Sequence, residues 1–75
     1  MSKYHLVDTI QSTIQSFRPR REALGWSQER LAHAAGITLA AYAAIERGRS
    51  DPRSRTIDAI TTALNEGENQ GNPAA

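Results

Sequence analysis

The stretch SQERLAHAAGITLAAYAAIERG, residues 27–48, decides the fold. Ser27 is a good helix N-cap, because its hydroxyl oxygen can accept a bond from a free first-turn amide. The residue three positions on is Arg30, so no Glu or Gln completes a reciprocal capping box. Leu31, Ala32 and Ala35 mark the inner face of a short helix. Gly36 stands where a left-handed residue is wanted to end it. Ile37 follows as an apolar plug, Thr38 caps a second helix, and Gly48 closes that one. Within the second helix Tyr42 and Ile45 lie on one face. Two short helices joined this tightly cross closely, so the first needs a small residue at the contact. Ala32 supplies it.

Outward from this unit, Leu6, Ile10, Ile14 and Phe17 recur at steps of four, four and three, with Val7 beside them. That is a one-faced helical stripe. Proline lacks an amide hydrogen and clashes with the preceding turn, so Pro19 predicts a break near Phe17 or Arg18. A fresh helix then runs from Pro19 to about Leu24, closed by Gly25. On the other side, Arg49-Ser50-Asp51-Pro52 reads as a loop. Ser54 is placed to cap a last helix carrying Ile57, Ile60 and Leu64. Residues 66–75, EGENQGNPAA, are polar and have no apolar anchor, which predicts a disordered tail. The expected architecture is all-α, with about five short helices. One domain covers residues 3–65, and the tail covers 66–75.

Seventy-five residues suffice for one small domain, which buries only about 60% of its unfolded surface. There is no cysteine to staple it, and small domains often gain stability by oligomerising, so a homodimer is expected. Apolar runs are far too short for a membrane span, and the N-terminus lacks the layout of a secretory signal. The expectation is a cytoplasmic protein with no membrane partner.

Net charge is only +1, but its distribution is uneven. Between Arg18 and Arg55 eight arginines face Glu22, Glu29, Glu46 and Asp51, while the rest sets Lys3 against Asp8, Asp58, Glu66 and Glu68. A basic middle between acidic ends suits a polyanion-binding face. Arginine also forks onto phosphate and guanine better than lysine does. By charge alone, a merely solvated arginine-rich surface fits equally well.

Chemistry beyond binding has little support. His5 and His33 sit on separate helices with no carboxylate at ligand spacing, so no metal site is expected. The serines lack a nucleophile elbow, and there is no glycine-rich phosphate loop. No catalysis, cofactor or small-molecule substrate is expected. Trp26 reads as a core anchor. Tyr42 reads as core too, with a hydroxyl able to emerge toward a phosphate.

The run Phe17-Arg18-x-x-Arg21-Glu22-x-x-Gly25-Trp26-Ser27-Gln28-Glu29-x-Leu31-Ala32-x-x-Ala35-Gly36-Ile37-Thr38 resembles the Cro and phage-repressor (XRE-type) helix-turn-helix class. So does the continuation Ile45-Glu46-Arg47-Gly48-x-x-x-Pro52, and the likeness covers roughly residues 17–64. The resemblance implies a lambda-repressor-like domain with an extra N-terminal helix. It implies a sequence-specific transcriptional regulator, of the repressor kind, that binds double-stranded operator DNA with its second helix in the major groove. Such a protein is bacterial or phage-encoded and associates with the nucleoid when bound. On matching positions, Gln28, Thr38, Leu39, Ala40 and Ala43 face bases. Arg18, Ser27, Arg47, Arg49 and Arg53 hold phosphates, and Arg21 and Glu46 form a buried structural ion pair.

Two features depart from that class. Outward positions of the second helix are nearly all alanine or leucine, where hydrogen-bonding side chains are usual. Three readings stay open: contact with thymine methyls together with DNA shape, base contacts from Arg49 or Arg53, or a protein-interaction module of antitoxin or anti-activator type. The extra helix also precedes the domain. Its stripe of Leu6, Ile10, Ile14 and Phe17 packs either on its own core or on a second copy.

Overall fold

The computed structural model describes residues 3–70, with side chains from residue 9 onward. Four helices follow one another: α1 Lys3–Ala23, α2 Gln28–Ala35, α3 Leu39–Glu46 and α4 Ser54–Gln70. No strand occurs among the described residues. α1 and α2 each pack against both α3 and α4, and α2 also lies against α3 across the glycine turn. Phe17, Leu31, Ala32, Tyr42, Ile45, Ile60, Ala63 and Leu64 meet in one buried cluster drawn from all four helices. Ile14, Leu24, Trp26, Ala35, Ile37 and Ile57 close around it, partly buried.

Local chemistry sets the α2–α3 unit. The Arg30 amide donates to the Ser27 hydroxyl oxygen at 3.0 Å, and the Ala41 amide donates to that of Thr38 at 3.0 Å. At the turn Gly36 has φ +75°, where a Cβ would strain the backbone. Its amide donates to the His33 carbonyl and that of Ile37 to the Ala32 carbonyl, so two otherwise orphaned carbonyls are satisfied. The same bonding closes α1 at Gly25-Trp26 and α3 at Gly48-Arg49.

Three expectations need correction. The predicted break at Pro19 does not occur: α1 is one helix with Pro19 inside it, so there are four helices and not five. Phe17 on one side and Arg21 on the other are both buried and hold the backbone against the core. That anchoring outweighs the one missing hydrogen bond, and the carbonyl left over belongs to exposed Gln15. Ser54 is the first residue of α4 and not its cap, since the Ile57 amide donates to the Arg53 carbonyl.

The third correction concerns the predicted disordered tail. Residues 66–70 are helical, and Gly67 is buried. A Cβ there would lie 2.5 Å from Trp26 Cη2 and 2.6 Å from Cζ2, so the missing side chain is the space the indole occupies. Arg20 adds a clamp. Its Nε donates to Glu68 Oε2 at 2.8 Å, and its Nη2 donates to Glu68 Oε1 at 2.7 Å and Asn65 Oδ1 at 2.8 Å. The apolar anchor absent from the segment itself is supplied by Trp26. Residues 71–75 lie outside the described residues. In the N-terminal stripe, Phe17 and Ile14 face the core, Ile10 is 41% exposed, and the Leu6 side chain lies outside the described residues.

Candidate nucleic-acid interface

The C-terminal end of α3 is tied to the rest of the domain by one carboxylate. Arg21 Nε donates to Glu46 Oε2 at 2.7 Å and Arg21 Nη2 to Oε1 at 3.3 Å, while Arg21 Nη1 donates to the Trp26 carbonyl at 2.8 Å. The Tyr42 hydroxyl also donates to Glu46 Oε2, and Gln28 Nε2 donates to Oε1 at 2.9 Å. Glu46 thus joins α1, α2 and α3, and Arg21 adds the turn between the first two. The Arg21 and Glu46 side chains are only 11% and 5% exposed.

Electrostatics follow from this packing. Burial works against the charge on Glu46, but the hydrogen bonds from Arg21, Tyr42 and Gln28 together outweigh it and hold the carboxyl below its ordinary value. The hydrogen bond to Glu46 raises Arg21 further, against the cost of burial. Burial, and then the neighbouring carboxylate, push the Tyr42 phenol well up, so it stays neutral. The expected emergence of that hydroxyl toward a phosphate is therefore corrected: it points inward. Glu46 has both oxygens occupied and is a fastening, not a reactive group.

What this fastening presents is the start of α3. Leu39, Ala40 and Ala41 are exposed and Ala43 is half-buried, while Tyr42 and Ile45 face the core. Eight residues make α3 about 12 Å long at ~1.5 Å per residue, close to the ~12 Å width of the DNA major groove. The amides of Leu39 and Ala40 have no partner within the helix, because only the first-turn amide of Ala41 is capped by Thr38.

The arginines divide into two groups. Arg18 pairs with Glu22, Arg20 with Glu68 and Arg21 with Glu46, and Arg30 lies over the Trp26 ring at 4.7 Å from its centroid. Arg47, Arg49, Arg53 and Arg55 are exposed and have no side-chain partner among the described residues. All four fall within nine residues directly after α3. A shallow groove of about 360 Å³ runs between α1 and this end of α3, lined in part by Arg18, Gln15, Arg47 and Gly48. Arg18 and Arg47 thus share one surface.

Of the residues expected at bases, Thr38, Leu39 and Ala40 are exposed together, and Ala43 lies on the same short helix. Gln28 stands apart, half-buried and holding Glu46. Ser27 is exposed at the start of α2, with its hydroxyl oxygen serving as a cap. Sequence reasoning missed the Gln28 and Tyr42 bonds to Glu46, the Arg20 clamp and the Gly67 notch. One signal for the last was present, because Gly67 continues the stripe of Ile57, Ile60 and Leu64 by a further step of three. Among the described residues no three His, Asp or Glu side chains gather to hold a metal ion, and no helix is long and apolar enough to cross a membrane.

Comparison with known proteins bears on the fold that carries these residues. The Helix-turn-helix family matches residues 18–69, which carries it beyond residue 65 and into the docked end of α4. The HTH-type transcriptional regulator SutR of Escherichia coli (strain K12) is 38% identical over 61 residues, covering 81% of this chain and 33% of that protein. The chain therefore spans about one third of the length of that relative. No solved structure matches it. With a capped helix, a left-handed glycine turn and a second capped helix inside a match that covers most of its length, the chain belongs to the XRE-type helix-turn-helix family.

Proposed function

We infer that this chain binds double-stranded operator DNA as the DNA-contacting domain of a transcription regulator. In this reading α3 enters the major groove with Thr38, Leu39, Ala40 and Ala43 toward the base edges. Arg47, Arg49 and Arg53, with Arg18 and the Ser27 end of α2, lie along the phosphates, and Gln28 positions α3 through Glu46. The observation that carries it is the set Arg47, Arg49, Arg53 and Arg55, directly after α3 and without a side-chain partner among the described residues. Unpaired arginines spaced along one segment suit the regular negative charge of a phosphate backbone, whose neutralisation releases counterions.

The protein acts as a homodimer on two half-sites, with α1 as the interface. Ile10, 41% exposed on the stripe that also carries Ile14, supports this arrangement. Light scattering tests it: Ile10→Glu should halve the mass, and an unchanged dimer would place the interface elsewhere.

A fluorescence-anisotropy titration against duplex DNA at several salt concentrations tests the main reading. Affinity should fall with log salt by about 0.9 per phosphate neutralised. Arg49→Ala and Arg53→Ala should each reduce that slope by about one. Affinity independent of salt would overturn DNA binding and favour a protein-interaction role.

A further inference from the structure

We propose that Leu39 is a specificity-determining residue and that this chain selects its DNA by the C5-methyl groups of pyrimidines in the major groove. The inference rests on the DNA-binding reading above. Hydrogen-bond readout of a base edge needs a side chain with a donor or acceptor to spare. None of Leu39, Ala40, Ala41, Ala43 or Ala44 carries one. Of the two polar side chains nearest the start of α3 in this unit, Gln28 holds Glu46, while the Thr38 hydroxyl accepts from the Ala41 amide and keeps its own proton to offer a base edge.

What remains at the head of α3 is a leucine 46% exposed, flanked by alanine methyls. The apolar mark on a base edge in that groove is the thymine C5-methyl, and 5-methylcytosine places a methyl at the same ring position. Charge complementarity fixes the occupant of this apolar face. Arg47, Arg49, Arg53 and Arg55 follow α3 without carboxylate partners among the described residues, which suits a polyanion whose groove displays methyl groups. The arginines supply affinity, and Leu39 with its alanines supplies the choice among sequences.

The test uses the full chain and a duplex it selects from a random DNA pool. Three versions of that duplex are compared at one salt concentration: the parent, one with every thymine replaced by uracil, and one with every cytosine replaced by 5-methylcytosine. Uracil keeps the hydrogen-bonding edge and loses only the methyl. Its duplex should bind about fourfold more weakly for each methyl contacted, while the 5-methylcytosine duplex should bind at least as tightly as the parent. Leu39→Ala should bring the thymine-to-uracil ratio toward one, with the salt slope set by the arginines unchanged and an unaltered far-UV circular dichroism spectrum. Equal binding of the thymine and uracil duplexes would overturn methyl readout while leaving DNA binding intact. A ratio unmoved by Leu39→Ala would remove that residue from the reading. If no duplex is bound in a salt-dependent way, DNA binding and methyl readout fall together.

Discussion

Replacing Gly67 with alanine should destabilise the fold, although the same change in an ordinary helix interior stabilises by about 1 kcal/mol. The new Cβ would lie 2.5 Å and 2.6 Å from Trp26 Cη2 and Cζ2, and 3.1 Å from Leu24 Cδ1. Carbon atoms prefer about 3.5–4.0 Å, so the indole would have to retreat by roughly 1 Å. It is a rigid ring, with Arg30 over one face and the core cluster beside it. Overpacking of this kind costs about 1–3 kcal/mol, which leaves a net loss of about 1 kcal/mol after the gain in helix propensity. In a domain of this size that lowers Tm by about 4–8 °C. Urea unfolding followed by circular dichroism gives the free energy, and fluorescence of Trp26, the only tryptophan in the chain, reports the displaced ring. In a Trp26→Leu background the obstacle is smaller, and Gly67→Ala should then stabilise, with a coupling of about 2 kcal/mol between the two sites. A Gly67→Ala variant more stable than its parent would refute the close approach of Trp26 to α4.

Two other perturbations follow from the same geometry. Glu46→Ala leaves Arg21 buried without its counter-charge and should cost about 3–5 kcal/mol in chemical denaturation. The Glu46 carboxyl lies lower in the fold than its ordinary 4.5, so its contribution is fully present above that pH and is lost as pH falls through the folded value. Glu46→Gln should flatten this acid-range slope, and a stability profile that keeps its full slope in that variant would reject the assignment. Gly36→Ala meets no atom within 4 Å, so its cost is backbone strain alone, about 1–2 kcal/mol by thermal melting. Gly36→Asn should cost less, because asparagine tolerates the left-handed region.

Legibility followed the range of each interaction. The caps at Ser27 and Thr38 each join atoms three residues apart, and the turn at Gly36 closes over five, so a short window of sequence contains all their partners. Core positions such as Leu31, Tyr42, Ile45, Ile60 and Leu64 were legible from periodicity, since each helix must bury one face. Pro19 misled because a local rule was applied where burial of Phe17 and Arg21 prevailed. The end of α4 misled for a related reason. Its partners are Trp26 and Arg20, and the Arg20–Glu68 contact spans 48 residues. The Gln28 bond to Glu46 was hidden for the same reason, since it spans 18 residues.

By itself, then, the sequence determined the unit between Ser27 and Gly48: two capped helices, a glycine turn and an apolar lock, all built from short-range interactions. Tertiary structure decided the rest. It carried α1 through its proline, ordered polar residues 66–70 against an indole, and drew Gln28 and Arg21 onto Glu46. It also paired Arg20 and Arg21 with distant carboxylates and left Arg47, Arg49, Arg53 and Arg55 without a side-chain partner among the described residues. The physical reason is that a charge or a cavity takes its meaning from what the fold brings beside it, and those neighbours lie too far along the chain for any local pattern to name.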